Sequence, residues 1–289
     1  QKRGGVGKTG ATSKNNDFAE NVFVASTHDY VVFFTSSGKC FWRKVHELPE
    51  SSLTARGRAL TNILDLPEDE KIRAFVSLRD FEQDAYLIMT TRSGIIKKTK
   101  LEEYSRPRAN GIIAINLKSN DELIAVRTSS GSDEILISTK LGQAIRFNED
   151  KVRSVGRNSM GVKGISLKSD DFVVSSEVIK DSKTQILTIT ENGFGKRTEV
   201  EKYRLTSRGG KGVTTLKITE KTGKIVNAFQ VDNETDVILL SSVGKANRLK
   251  ASEISIIGRA TQGVRLMKLN EETWVVAAAK LTEEKQNSE

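Results

Sequence analysis

Two sets of cationic side chains return at a fixed spacing along this 289-residue chain, and the chemistry they suit is contact with phosphate. In the first set an arginine stands four residues before a glycine: Arg3 and Gly7, Arg157 and Gly161, Arg208 and Gly212, Arg259 and Gly263. Two looser copies carry Arg56 with Arg58 and Arg106 with Arg108, and Lys211 adds a charge beside Arg208. Registering Gly7, Leu60, Gly111, Gly161, Gly212 and Gly263 gives intervals of 53, 51, 50, 51 and 51 residues. The second set follows a glycine that ends an apolar run. Gly38 is followed by Trp42 and Arg43, Gly94 by Lys97 and Lys98, Gly142 by Arg146, Gly193 by Lys196 and Arg197, and Gly244 by Arg248. Those glycines lie 56, 48, 51 and 51 residues apart. Two landmarks on one beat of this size mark a repeat architecture.

A lysine on a short strand ordinarily guards a sheet edge. An arginine in a glycine turn ordinarily adds only solubility, while the glycine supplies a positive φ. Neither reading explains why the charge returns at one position per repeat. A ring with one cation cluster per repeat has a continuous basic rim, and such a rim suits an evenly spaced polyphosphate. Glycine beside the arginine would let backbone amides approach phosphate. No stacking aromatics are interleaved with the cations, which favours a duplex over a single strand. No recognition helix is visible for major-groove readout. Binding is therefore expected to be independent of sequence and governed by DNA bending.

Each cation needs a frame, and the sequence between Gly161 and Gly212 shows it. VKGISL from Val162 and FVVSSEVI from Phe172 read as strands, and Ile186–Thr190 reads as a third. Glu191, Asn192 and Gly193 read as a two-residue hairpin turn of the Asn-Gly kind. FGKRTEV from Phe194 is the fourth strand, and residues 201–208 form an exposed basic loop. Four short strands in about 50 residues is the size of a propeller blade. Helix signals are nearly absent; the best, Lys44–Leu53, meets Pro49 within two turns. Six repeats open and five close, so the two chain ends are expected to meet in one blade. The expectation is an all-β, six-bladed ring forming a single domain over 1–289. Its approximate blades are 1–55, 56–105, 106–155, 156–206, 207–257 and 258–289.

Other chemistries are disfavoured. Gly4 to Thr9 (GGVGKT) imitates the end of a phosphate-binding loop, but Lys2 stands where G-x-x-x-x-G-K-S/T wants its first glycine. No strand delivers that loop and no helix pattern follows it, so nucleotide binding is not expected. Cys40 is the single cysteine, which excludes an internal disulfide and reads as a small buried residue. Two histidines, His28 and His46, with no second cysteine argue against a zinc site. No apolar run approaches a membrane span, and the chain, starting at Gln1, reads as a piece of something longer. Its 46 Lys and Arg against 37 Asp and Glu leave a net charge of +9.

The stretch Gln1, Lys2, Arg3, Gly4, Gly5, Val6, Gly7 resembles the box Q-R-R-G-G-K/R-G of the C-terminal domain of DNA gyrase A. ILISTKLGQAIRF from Ile135 and VILLSSVGKANRLK from Val237 look like that family's blades, and the resemblance covers essentially the whole chain. It implies a six-bladed β-pinwheel that wraps duplex DNA around its rim and lets the enzyme introduce negative supercoils. It also implies that the catalytic residues, and the ATP and magnesium of the whole enzyme, belong to segments outside this chain. The implied partners are the rest of gyrase A, and gyrase B, in a heterotetramer in the bacterial cytoplasm at the nucleoid, with this piece itself monomeric. Val6 departs from the usual basic residue, and Lys2 keeps a charge but loses a bidentate donor. The C-terminal domain of topoisomerase IV is similar but has fewer or weaker boxes. A protein-binding propeller is the alternative from another class, distinguished by having no reason to repeat a cation in every blade.

Overall fold

Runs rich in Val, Ile, Phe and Thr cannot bury their side chains as isolated strands, so they pair and then stack. In the computed structural model, residues 8–9, 25–50, 63–64, 66, 70–82, 84–108 and 110–281 are described. Five antiparallel hairpins form its framework. They are β2 (Tyr30–Thr35) with β3 (Lys39–Lys44), β5 (Tyr86–Thr91) with β6 (Ile95–Lys100), and β9 (Glu134–Thr139) with β10 (Gln143–Asn148). The last two are β13 (Gln185–Thr190) with β14 (Phe194–Glu199), and β17 (Asp236–Ser241) with β18 (Lys245–Lys250). Each first strand pairs on its other side with a seven-residue inner strand: β4 (Ile72–Leu78), β8 (Leu123–Ser129), β12 (Val173–Ile179), β16 (Ile225–Val231) or β20 (Val275–Leu281). Each second strand pairs with a two-residue opening strand: β7 (Ile112–Ile113), β11 (Val162–Lys163), β15 (Val213–Thr214), β19 (Val264–Arg265) or β1 (Lys8–Thr9).

The sheet orders are β4-β2-β3-β7, β8-β5-β6-β11, β12-β9-β10-β15, β16-β13-β14-β19 and β20-β17-β18-β1. Every sheet thus draws on three successive repeats: a hairpin from one, the inner strand of the next and the opening strand of the one after. The sheets do not coincide with the contiguous segments expected from the sequence. In the last sheet the next repeats are supplied by both ends of the chain, since β20 lies at one edge and β1 at the other. Lys8 is registered with Ala246, and Thr9 with Lys245. The expected meeting of the chain ends is therefore present.

The inner strands β4, β8, β12, β16 and β20 pack against one another in that order, which sets the sheets as blades of a propeller-like ring. Blade faces stack through apolar side chains. Val32, Phe34 and Trp42 of one blade meet Leu87, Met89 and Val126 of the next. Leu187, Ile189 and Phe229 meet Val237, Leu239 and Val275 in the same way. Each such fully buried side chain stabilises the stack by about 1.5–3 kcal/mol relative to exposure.

Three expectations are corrected. The described residues form five four-stranded blades, not six, because one repeat's worth of strands is spread over three blades and six openings complete only five sheets. The helical candidate at Lys44 is a single 3-10 turn, Val45–Glu47, and equivalent turns follow the other hairpins at Leu101–Tyr104, Glu149–Lys151, Val200–Lys202 and Ala251–Glu253. The turn at Asn192 is not of the Asn-Gly hairpin kind: that turn needs a positive φ at both central residues, whereas only Gly193 adopts one, at 75°. Gly193 N–H donates to the Thr190 carbonyl at 3.0 Å, as in a turn closed by a glycine bulge.

Candidate nucleic-acid interface

After each of the last three hairpins the segment beginning with the 3-10 turn runs as a strap along the second strand of the previous blade. Parallel bridges mark the contact: Lys98 with Ser154, Arg146 with Leu205 and Arg197 with Ile256. A strap has no strand partner for many of its carbonyls, and buried carbonyls require donors. The repeated hairpin cations are those donors. Lys97 is fully buried and its Nζ donates to the carbonyls of Ala114, at 2.6 Å, and of Arg157. Lys196 is fully buried and donates to the carbonyls of Gly258, at 2.5 Å, and of Arg259, and to Thr261 Oγ1 at 3.1 Å. Burial, aided by the Arg157 charge, lowers the Lys97 ammonium to about 7. Burial, aided by the Arg259 charge, lowers Lys196 to about 7.

The next position along the strand behaves alike. Arg146, 7 % exposed, donates through Nη1 to the carbonyls of Val200 and Tyr203, each at 3.0 Å, and its Nε meets Glu134 at 2.6 Å. Arg197, 4 % exposed, donates to the Ile254 carbonyl at 2.8 Å and to Asn233 Oδ1 at 2.7 Å. Lys98 pairs with the buried Glu149 at 2.9 Å and lies 4.4 Å over the Tyr86 ring. Arg43 is half-buried on the carbonyls of Ile63 and Trp42, and Arg248 is exposed but paired with Asp236.

The expected rim of hairpin cations is therefore corrected. Lys97, Lys98, Arg146, Lys196 and Arg197 fasten blade to strap and cannot reach a phosphate without unfolding the strap above them. The repeat glycines are corrected too, because their freedom serves a backbone crossing. Gly212 has φ 74°, and a Cβ there would collide with the Ala144 carbonyl oxygen; Gly161 stands in the same relation to the Ile96 carbonyl, with φ 93°.

The arginines of the repeat loops occupy a different place. Arg157 Nη1 donates to the Ile113 carbonyl at 3.0 Å, Arg208 Nη1 to the Lys163 carbonyl at 2.9 Å, and Arg259 Nη1 to the Thr214 carbonyl at 2.9 Å. Each therefore reaches back to the opening strand of the preceding repeat, while the side chain stays half-exposed. Around them the straps turn cations outward. Arg106, Arg108 and Arg157 line one depression of about 500 Å³ with Glu102 and Glu103. Lys151, Arg153 and Arg208 line the equivalent depression on the neighbouring strap, about 400 Å³, with Asp150. Lys211, Lys202 and Arg204 are exposed on the strap beyond. Sequence reasoning missed Arg153 and Arg204, whose signal is a second arginine four residues upstream of the first: R-x-x-x-R-x-x-x-G in both copies. Arg56, Arg58 and residues 1–7 lie outside the described residues. Among the described residues no group of three metal-ligating side chains occurs, and no helix is long and apolar enough to cross a membrane.

Residues 29–79, 85–130, 133–180, 184–232 and 235–281 match the family described as DNA gyrase C-terminal domain, beta-propeller. Each match runs from a hairpin through the following inner strand, one per observed blade. Over 98% of this chain the sequence is 45% identical to DNA gyrase A of Salmonella typhimurium, and over 99% it is 44% identical to that of Staphylococcus epidermidis. The chain spans about a third of the length of these relatives, 32% in both cases. A solved structure of a DNA gyrase A C-terminal domain superposes with a TM-score of 0.85 at 28% identity, covering 98% of this chain and 92% of that one. A C-terminal domain of DNA topoisomerase IV follows at 0.80 and 28% identity, covering 92% of this chain and 83% of that one.

Proposed function

The chain belongs to the family of DNA gyrase C-terminal β-propeller domains, and from that premise we propose that it binds duplex DNA along its straps and bends the duplex around the ring of blades. One observation carries the reading. Equivalent depressions on neighbouring straps present three cations each, Arg106, Arg108 and Arg157 on one and Lys151, Arg153 and Arg208 on the next. Cations on successive blades follow a path that curves with the ring. Phosphates that stay in contact with it must curve as well, and bending 20–30 base pairs by 40–90° costs on the order of 1–6 kcal/mol. Charge-assisted contacts at roughly 1.5–3 kcal/mol each are enough to offset that. The contacts are to backbone, so no sequence preference is expected.

Within the longer protein, this bend would present a DNA segment to an ATP-dependent type II topoisomerase and bias strand passage toward negative supercoils. The catalytic residues, ATP and magnesium would then lie in the other two-thirds of gyrase A and in gyrase B, in a heterotetramer of the bacterial cytoplasm. This piece itself needs no cofactor for binding. The match to a topoisomerase IV domain keeps a second reading, in which the ring bends DNA without imposing a supercoiling direction.

The test is a titration of a labelled duplex of mixed sequence at several salt concentrations without nucleotide or metal. Engagement of about 6–10 phosphates predicts an affinity falling roughly 10³- to 10⁵-fold between 50 and 200 mM salt. Affinity indifferent to salt would sink the reading.

A further inference from the structure

Two of the loop arginines are gripped at both ends, and at one end the grip is a buried lysine. Arg157 donates through Nη1 to the Ile113 carbonyl, and its own carbonyl accepts from the Lys97 ammonium. Arg259 donates through Nη1 to the Thr214 carbonyl, and its own carbonyl accepts from the Lys196 ammonium. The loop of Arg208 lacks this partner. Three residues past the hairpin glycine, where Lys97 and Lys196 stand, the intervening blade has Ile145. Its Cδ1 lies 3.6 Å from where a Cβ of Gly210 would stand. Arg208 is held instead through Nε on the Lys151 carbonyl and Nη1 on the Lys163 carbonyl, each at 2.9 Å. Three junctions of one backbone design thus differ in one buried charge.

From this we propose that Lys97 and Lys196 are positioning residues that couple phosphate capture at Arg157 and Arg259 to the uptake of a proton, whereas capture at Arg208 is uncoupled. This coupling presupposes the DNA-binding reading and adds the proton as a second ligand. Both lysines are fully buried. Among the described residues their acceptors are backbone carbonyls and the Thr261 hydroxyl, so no paired carboxylate offsets the cost of burying the charge. Arg157 opposes the Lys97 charge, while Cys40 of β3 and Glu103 of the 3-10 turn favour it. Tyr104 donates to the same Ala114 carbonyl as Lys97, at 3.1 Å. Arg259 opposes the Lys196 charge, and Tyr203, which also feels Arg259, is hydrogen-bonded to Thr215 Oγ1 at 2.6 Å. Burial raises both tyrosines and pushes Cys40 up to about 12, so none of the three titrates near neutral pH.

Burial first, and then the facing guanidinium, lower both ammonium groups to about 7. A phosphate on Arg157 or Arg259 offsets that guanidinium's charge and withdraws the second cause. The lysine then keeps its proton to a higher pH. Above about 7 the bound protein therefore carries more protons than the free protein, and duplex affinity falls as pH rises. Relief of about one pK unit by removal of a facing charge corresponds to a roughly fivefold fall in affinity per lysine between about pH 7 and 9.

The protons are counted by titration calorimetry of a mixed-sequence duplex with the whole chain at pH 7.5, in buffers of different ionisation enthalpy at one salt concentration. The parent should take up about one proton, about half at each lysine. Lys97→Met and Lys196→Met should each remove about half of that uptake, and together all of it, with thermal melting monitoring the fold. Arg157→Gln with Arg259→Gln keeps both lysines in place and should abolish the uptake as well, so the test survives a methionine variant that fails to fold. Arg208→Gln should also weaken binding, but with the proton count unchanged. No uptake by the parent, uptake that persists in the double variants, or uptake lost in Arg208→Gln would overturn the coupling while leaving DNA binding in place. A parent that binds no duplex would instead overturn the DNA reading that the coupling presupposes.

Discussion

Replacing Lys196 by methionine separates a fastener from a phosphate contact. The methionine keeps the aliphatic stem in its fully buried slot and removes only the donors. Three acceptors lose a partner: the carbonyls of Gly258 and Arg259 and the hydroxyl of Thr261. None is orphaned, because Thr261 Oγ1 still donates to the Gly258 carbonyl at 2.8 Å and Thr261 N–H to the Arg259 carbonyl at 2.9 Å. The loss is thus the net value of two or three hydrogen bonds, at about 0.5–1.5 kcal/mol each for a neutral amine, or about 2 kcal/mol in all.

The loss also depends on pH. Burial lowers the Lys196 ammonium from 10.5 to about 7. Between those values the unfolded chain binds more protons than the folded one, so parental stability rises with pH across the window and is lost as pH falls toward 7. At 1.36 kcal/mol per unit the upper bound of that change is about 5 kcal/mol. Three oxygens facing the ammonium favour its charged form, so the observed slope should be shallower. Lys196→Met should flatten this component, with its deficit against the parent largest near pH 9–10 and smallest near pH 7. The assays are denaturant unfolding at pH 7, 8 and 9.5 and the salt slope of duplex binding at pH 7.5. Unchanged stability together with a slope reduced by about one would refute the fastener assignment and restore the lysine to the DNA surface.

Gly212→Ala should destabilise by at least about 2 kcal/mol in denaturant melts, because it places a Cβ at φ 74° against the Ala144 carbonyl oxygen. Cys40, fully buried and pushed up to about 12 by desolvation, should resist alkylation at pH 8.5 until the chain is unfolded, as mass spectrometry of reacted protein would show. Alanines in place of residues 1–7 should leave duplex affinity nearly intact while reducing the bend seen by energy transfer between duplex ends. Full bending by that variant would remove the role assigned to the box.

The repeat was legible because its glycines are obligatory. Gly212 and Gly161 cannot be exchanged where one backbone crosses another, so the period survives in the sequence. The hairpins were legible for a similar reason, since runs such as Ile186–Thr190 have no other way to bury both faces. The exchange of strands between repeats was not. An opening strand such as Val162–Lys163 is two residues long and carries no pattern that names its partner. The role of Lys196 and Arg197 was hidden by the same long-range fact. A cation on a short strand looks exposed until the strap from 62 residues downstream, at Gly258, is known to cover it. The periodic charge was therefore seen correctly and placed on the wrong surface. The outward cations, Arg153 and Arg204, lay in the strap that reads only as a loop.

The central claim is that a curved track of strap cations bends a duplex, and it is tested most directly by end-to-end energy transfer on a DNA of about 40 base pairs bound to this chain. Transfer should rise on binding, should fall back as salt is added, and should be lost in a variant neutralised at Lys151, Arg153, Lys202 and Arg204. Binding that leaves the ends as far apart as in free DNA, or a bend that survives removal of those four charges, would contradict the account.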